Sequence, residues 1–365
     1  MPERLAVVGG GVVGSFAAMA AALDGLDVTV IDPRGPMGGA ASRSAGVVTV
    51  QLEDRDDVLL VLESLRLIEG VARASAVRTG FLQIGREEDL RDSVEAMRAA
   101  DVRYELLSPD DVKHRWPELR VNEGELSVYT DLDLAVEPTV LASEVEARLK
   151  ELGVKVLRGE VTSIRVSGGS ATGVSLANGE LLRTDSVILA AGAHNRDLLG
   201  KLGLSLRVAV ITCYAYRFDL GRDLGLPCFS DERRHSYWRP WGSEMVGGGY
   251  DAEWSDRPVY EHREPPRTYV ERSLRMLTYR LRAQVSPVYV RSVNGPCEIT
   301  GDYEPYLGEV EGISNLVVAG GLRGYGLMRG PRLGELAYAV STGKGFPPVV
   351  EKYDLRRLLT PLDAR

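Results

Sequence analysis

The residues best placed to do chemistry stand near the start of the chain, in the run Gly9-Gly10-Gly11-Val12-Val13-Gly14. An apolar stretch at residues 5–8 precedes it and a helix-forming segment follows. A second apolar stretch, residues 27–31, ends at Asp32, with Pro33 and Arg34 directly behind. This strand, turn, helix, strand spacing predicts a cradle for a dinucleotide. Gly9 permits the tight turn and Gly11 lets the backbone approach a pyrophosphate at the helix N-terminus. Gly14 lets helix and strand pack closely, and Asp32 can accept hydrogen bonds from a ribose. Glycine clusters are common in ordinary turns, but one set between two apolar strands and followed by an acid is rarely accidental. The expectation is a nucleotide-cofactor enzyme, with the identity of the dinucleotide open.

The elements that must position such a cradle extend over the whole chain. At 365 residues it is long enough for two units, a cofactor domain and a substrate domain. A formal charge of -8 argues against nucleic acid as a partner. The first strand begins without a basic leader, and residues 7–23, although largely apolar, are broken by glycines and belong to the βαβ pattern. The expectation is therefore a cytoplasmic protein, with peripheral membrane attachment left open. Cys213, Cys228 and Cys297 lack paired spacing, and four histidines offer no ligand cluster, so the cysteines read as isolated side chains and no metal is expected.

Small residues fill the loop at 38–46, which suits a backbone wrapping a bulky ligand, and a helix follows from near Asp56. A strand at 80–84 leads to a helix at 87–98. Ser108-Pro109-Asp110-Asp111 has a helix-start pattern, and Pro117 ends what it starts. Glu137-Pro138 precedes a helix reaching Lys150. Strands follow at 153–157 and 160–166, with a hairpin signal at Asn178-Gly179. The buried strand at 186–192 delivers Ala190, Ala191 and Gly192 to its carboxyl end, a second backbone approach to the nucleotide. Residues 206–291 change texture to alternating aromatic and β-branched segments, which predicts an antiparallel sheet with one face over a substrate cavity. Within this region 264–283 reads as a helix and 285–290 as a strand. A buried strand at 315–321 runs into a glycine-rich turn, and the last helix is expected from Arg332 to about Thr342.

The fold class this implies is α/β. A discontinuous Rossmann-like nucleotide domain, residues 1–80, 138–205 and 299–365, carries a second, mostly antiparallel β substrate domain, residues 81–137 and 206–298.

Further segments occur in one order through nearly the whole chain: Ser42-Arg43-Ser44-Ala45-Gly46, Arg78-Thr79-Gly80-Phe81-Leu82, Glu137-Pro138, residues 187–193, Thr300-Gly301-Asp302 with Pro305 and Gly308, and Gly324-Tyr325-Gly326 with Pro331. With the opening glycines they resemble the D-amino-acid oxidase superfamily, in particular its glycine oxidase, sarcosine oxidase and dye-linked proline dehydrogenase branch. The resemblance implies FAD at the junction of the two domains. Gly9, Gly11, Gly14 and Asp32, with the intervening Val12 and Val13 and the flanking Pro33 and Arg34, would hold the ADP half. Ser42, Arg43, Ser44 and Gly46 would approach the middle of the cofactor, Val161 would meet the adenine, and Ala191 and Gly192 would line its path. Gly324, Tyr325, Gly326 and Leu327 would approach the isoalloxazine ring.

The chemistry so implied is oxidation of a C–N bond of a small amino or imino acid, with hydride leaving for flavin N5 and electrons passing to an acceptor, to oxygen or to an electron-transfer protein. Such chemistry asks for an arginine and aromatic walls. Here the sequence departs from its relatives. Cys297 and Met328 stand where the glycine oxidase and sarcosine oxidase patterns place Arg and Lys, and Gly295 stands where a flavin-linking Cys would be, so FAD is expected to be noncovalent. Arg323 is the first replacement candidate for the substrate carboxylate, ahead of Arg43, Arg239 and Arg329, with Tyr325 and Tyr250 as aromatic walls carrying a polar handle. The leading expectation is an amino-acid dehydrogenase such as a proline dehydrogenase. An oxidase producing hydrogen peroxide and a noncatalytic FAD-binding subunit are the alternatives, and a nicotinamide dehydrogenase is disfavoured because the distant third segment has no place in it. A homo-oligomer is left open.

Overall fold

In the computed structural model, which describes residues 3–282, 285–343 and 348–362, a parallel sheet is built around Arg4–Val8. Its strands run in the order Lys155–Leu157, Asp27–Ile31, Arg4–Val8, Ser186–Leu189 and Ile313–Gly320. Alternate residues of each strand feed two separate cores. Leu5, Val7, Val30, Ile188 and Val317 pack toward helices Val12–Leu23 and Gly326–Ser341, while Ala6, Val8, Ile31, Leu189 and Val318 pack on the other face. Burial on both faces explains why these strands are continuously apolar rather than alternating. From Arg4–Val8 the chain first adds strands on one side and later returns to add them on the other. That reversal opens a crevice at the carboxyl ends, where Gly9, Asp32, Ala190 and Gly321 follow the four central strands.

The second sheet has the strand order Ala252–Trp254, Val208–Asp219, Glu244–Gly249, Ser236–Trp241, Cys228–Asp231, Phe81–Gly85, Leu126–Thr130 and Glu105–Leu107, with Val288–Thr300 also on Val208–Asp219. It is antiparallel except where Cys228–Asp231 meets Phe81–Gly85. Helix Arg267–Arg280 covers one face, with Ser273 buried. The opposite face bears Phe81, Gln83, Ser230 and Tyr237 and lines the cavity described below. Among the described residues no helix is long and apolar enough to cross a membrane.

Several sequence expectations need correction. The last helix begins at Gly326, not Arg332, and Pro331 lies inside it. Gly330, Pro331 and Gly334 look like helix breakers, yet the glycines are contact points. A Cβ at Gly330 would lie 2.4 Å from Val12 Cγ1, and one at Gly334 would lie 2.3 Å from Val13 O, so both are bare to admit helix Val12–Leu23. The short strand expected at 285–290 is instead Val288–Thr300, paired along Val208–Asp219. Its polar residues, Ser292, Asn294 and Glu298 among them, disguised a strand whose polar side chains are buried. The helix expected over 264–283 is Arg267–Arg280, and its expected last residue lies outside the described residues. A three-stranded sheet of Val47–Val48, Leu134–Val136 and Ala76–Arg78 was not anticipated, because strands of two or three residues are too short to show a period. By contrast the Ser108 start is as expected: its Oγ accepts from Asp111 N at 3.2 Å, and the Asp111 carboxylate accepts from Ser108 N at 2.9 Å.

Candidate active site

One continuous cavity of about 1300 Å³ runs between the two sheets. At its nucleotide end the turn after Arg4–Val8 is held open by geometry that only glycine tolerates. Gly9 has φ +97°, and a Cβ there would lie 2.4 Å from Ala190 O; a Cβ at Gly14 would lie 1.9 Å from Gly9 O. Gly11, by contrast, meets nothing within 4 Å, lines the cavity and caps helix Val12–Leu23 without a side-chain hydrogen bond. The first amide N–H groups of that helix are therefore free for an anion. Val12 and Val13 line the same wall, as do Pro33 and Arg34. Asp32 accepts from Gly10 N at 2.9 Å and Arg34 N at 2.7 Å, which orients its carboxylate at the crevice.

The cavity wall continues through Val161, Ala191 and Gly192 on one side and Arg43, Ser44 and Gly46 on the other. The buried amide of Asn195 fixes Ala191, accepting its N–H at 2.8 Å. Ser42 turns away from the cavity, its Oγ donating to Gly39 O at 3.1 Å, and Arg43 donates to Gly38 O and Gly39 O at 2.8 and 2.7 Å. A bare helix start, a glycine turn a Cβ would fill and a ribose-side acid thus occupy one crevice, and this donor set fits a dinucleotide.

Sequence reasoning missed Tyr260. It lies on an irregular segment of the substrate domain with no local signal, yet its ring sits 3.6 Å from the Arg34 guanidinium carbon and stacks on His194 at 5.8 Å. It also missed Glu298, which is buried and accepts from Tyr306 Oη at 2.7 Å and Gly321 N at 2.8 Å. Burial pushes this carboxyl up, against those hydrogen bonds. Glu298 thereby pins Val288–Thr300 to the turn that carries Arg323.

That turn presents Arg323, Gly324, Tyr325, Gly326 and Leu327 to the cavity. Arg323 adopts φ +49°, a left-handed conformation uncommon outside glycine and enriched at functional sites. Its guanidinium carbon lies 4.5 Å from the Tyr303 ring and 5.3 Å from the Tyr325 ring, and among the described residues it forms no ion pair. Tyr250 lines the same cavity and is 64 % exposed. Tyr237 packs beside it at 5.9 Å.

The other arginine candidates have partners of their own. Arg239 is fully buried and bonded to Ala45 O and to Glu137 at 3.2 Å; Arg329 pairs with Asp57 and donates to Tyr303 O at 3.3 Å. Cys213 and Cys297 are not isolated, because the antiparallel register of their strands sets Cys213 opposite Gly295 and Cys297 opposite Ile211, diagonal neighbours that both line the cavity wall. Cys297 also faces Gly324, whose Cβ would lie 3.7 Å from its Sγ. Cys228 stands apart, fully buried, with burial pushing its thiol up to about 12. Among the described residues no group of His, Cys, Asp or Glu is placed to hold a metal ion.

Comparison with known proteins gives this arrangement a family. Residues 4–339 match the model of the DAO family, described as FAD dependent oxidoreductase. The chain is 25 % identical over 369 residues to 4-methylaminobutanoate oxidase (formaldehyde-forming) of Paenarthrobacter nicotinovorans, covering 93 % of this chain but only 44 % of that protein. It is 27 % identical to glycine oxidase of Pseudomonas aeruginosa, covering 96 % and 97 % of the two chains. Its fold superposes on the crystal structure of L-proline dehydrogenase from P. horikoshii with a TM-score of 0.88 at 22 % identity, covering 98 % of each chain. The match spans both sheets and the cavity between them, so the chain belongs to the DAO family of FAD-dependent oxidoreductases, and FAD is its cofactor.

Proposed function

We propose that the chain oxidises the C–N bond of a small amino or imino acid and is a dehydrogenase of the proline dehydrogenase kind. The observation that carries this reading is Arg323, which among the described residues forms no ion pair and lies between tyrosines on the wall of the same cavity that contains the dinucleotide crevice. The names of the relatives, oxidases and dehydrogenases of amines and amino acids, support the same bond class.

In this reading Gly9, Gly11, Val12, Val13, Gly14, Asp32, Pro33 and Arg34 hold the ADP half of FAD, with Val161, Ala191 and Gly192 along its path. Arg43, Ser44 and Gly46 reach its middle, Ser42 supports that loop, and Gly324, Tyr325, Gly326 and Leu327 face the flavin. Bound FAD would supply the hydride acceptor for the α-carbon, and loss of that hydride from the neutral amine would leave an iminium, which becomes the imine on releasing an N–H proton to solvent. Arg323 holds the substrate carboxylate through two parallel N–H donors, while Tyr325 and Tyr250 form walls that orient the α-carbon and exclude water. The substrate amine must be neutral so that its lone pair supports the developing imine, and no protein base at the α-carbon is required. The open N-terminus of helix Gly326–Ser341, capped by no side chain, offers amide N–H groups to negative charge developing nearby.

Anaerobic stopped-flow absorbance of the FAD-saturated protein with D- and L-proline, sarcosine and glycine tests this function. Loss of the oxidised-flavin band with one of them is expected; failure with all would point to a different amino-acid substrate, and failure with basic amino acids as well would favour a noncatalytic FAD subunit. Peroxide formed on admitting oxygen would reassign the enzyme as an oxidase. Arg323→Ala should lower kcat/KM for carboxylate substrates about 30- to 150-fold more than for their amides, the equivalent of a charge-assisted interaction of about 2–3 kcal/mol. Equal losses for acid and amide, with flavin content measured in parallel, would place Arg323 outside the carboxylate site.

A further inference from the structure

The chamber beyond Arg323 has a second polar feature that oxidation of a simple amino acid does not use. Glu232 lines the cavity and among the described residues makes no ion pair. Its donors are few: Ser230 Oγ reaches it at 2.5 Å, and Gln83 lies alongside. Burial raises its carboxyl, and the neighbouring carboxylates Glu53 and Asp231 push in the same direction. Asp231 is itself neutralised by Arg280 at 2.6 Å, whereas Glu53, also on the cavity wall, has no ion pair among the described residues.

Gln51 supplies an independent observation. It is only 5 % exposed, lines the same cavity, and its Oε1 is buried without a donor. The amide is not free to flip. The two protons of Nε2 face Phe81 O at 2.9 Å and Thr130 Oγ1 at 2.8 Å, with Val128 O also within reach at 3.3 Å, which leaves the oxygen as the unpaired end. Thr130 in turn donates to buried Asp133, whose carboxylate also accepts Val50 N at 2.8 Å, so the loop carrying Gln51 is locked. Phe81 and Gln83 are two residues apart on one strand and so share its cavity-facing side, which sets Gln51 and Glu232 along the same wall. An unpaired buried acceptor and a partly buried carboxylate without a cation, both on the wall of one cavity, cost free energy that a donor-rich ligand group would offset.

The cavity wall thus carries opposite charges, Glu232 just after strand Cys228–Asp231 and Arg323 in the turn before helix Gly326–Ser341, with Tyr250 lining the same cavity. We propose that the substrate is a basic amino acid, whose second, cationic amine at the end of the side chain is received by Glu232 with Gln51 while Arg323 takes the carboxylate. This rests on the amino-acid reading above and names its substrate class. The terminal ammonium brings three donors and a positive charge to a carboxylate and an orphan amide oxygen, and a neutral side chain brings neither.

Matched pairs isolate that one group. Ornithine and norvaline differ at the terminal amine, as do lysine and norleucine, and both enantiomers of each are titrated into the FAD-loaded protein. Dissociation constants are read from the perturbation of the flavin spectrum and reduction rates from anaerobic stopped flow. A preference of about 10-fold or more for a basic member over its neutral partner is expected, collapsing toward unity in Glu232→Gln. No preference in the wild-type protein, or a preference that survives Glu232→Gln, would overturn the proposal. If the basic member binds preferentially but no amino acid reduces the flavin, the proposed oxidation fails while the recognition by Glu232 stands. If neutral amino acids reduce the flavin as well as basic ones, the reverse holds.

Discussion

Gly14→Ala should leave a protein that no longer retains FAD and is itself destabilised, whereas Gly11→Ala should lose FAD while the apoprotein stays as stable as wild type. The contrast follows from what each added methyl group meets. At Gly14 it would lie 1.9 Å from the carbonyl oxygen of Gly9, so the turn must move, and Gly9 cannot yield because its own Cα is held against Ala190 and Ala191. Forcing such a contact costs about 1–3 kcal/mol or more, and the same shift misplaces the amides that face the pyrophosphate. At Gly11 the methyl meets no protein atom within 4 Å, and the backbone φ of −63° suits alanine. What it meets is the space the cofactor must enter. For both variants FAD affinity should fall at least about 100-fold, a loss near 3 kcal/mol. Thermal unfolding of the apoprotein separates the two. Should Gly11→Ala bind FAD normally, the pyrophosphate does not sit at this helix start.

Glu137→Ala is expected to cost about 3–5 kcal/mol of stability, because it strands a buried charge. Glu137 Oε2 lies 2.6 Å from Arg217 and 3.2 Å from Arg239, whose guanidinium is fully buried and already has one nitrogen, Nη1, without a partner. Arg239 also donates to Ala45 O, in the loop whose Gly46 accepts Val136 N at 2.7 Å. Loss of the carboxylate should therefore loosen the loop at residues 44–46 and weaken FAD binding as well as folding. Burial works against the charged Glu137 side chain, but Arg217, by hydrogen bond and charge, and Arg239 hold its pKa below the ordinary value. A carboxyl whose folded pKa is depressed stabilises the protein above its unfolded pKa, and that contribution is lost as pH falls through the folded value. Denaturant unfolding of wild type minus variant should thus show a large difference at neutral pH that shrinks on acidification below the ordinary glutamate range. A difference under about 1 kcal/mol at pH 7, the level of an exposed pair, would mean the arginines are solvated in solution.

Both variants act on features of different legibility. The glycine turn, the acid after the second strand and the Ser108 cap were readable because each is local: the side chains and the backbone they serve lie within a few residues, where sterics and hydrogen bonding act through short chain segments. The continuous apolar runs of the central strands were readable for the same reason. The final helix was misplaced because Gly330, Pro331 and Gly334 obey local helix rules only until a second helix demands close approach. Strand Val288–Thr300 was truncated because its polar side chains find partners from distant parts of the chain, as Glu298 does in Tyr306 and Gly321.

Sequence alone determined that this chain builds a discontinuous α/β dinucleotide domain with a mostly antiparallel companion sheet, and the resemblance of its motifs to the D-amino-acid oxidase superfamily implied FAD. How the candidate arginines are engaged was decided in three dimensions. Arg239 and Arg329 are consumed by Glu137 and Asp57, and no pattern in the chain announces those pairings across 102 and 272 residues. Arg323 is left facing the cavity, and Tyr260, Gln51 and Glu232 join the same wall. Periodicity and turn chemistry record how a segment folds against itself, whereas charge pairing and cavity lining depend on which segments become neighbours, and that is set only when the two sheets close on each other.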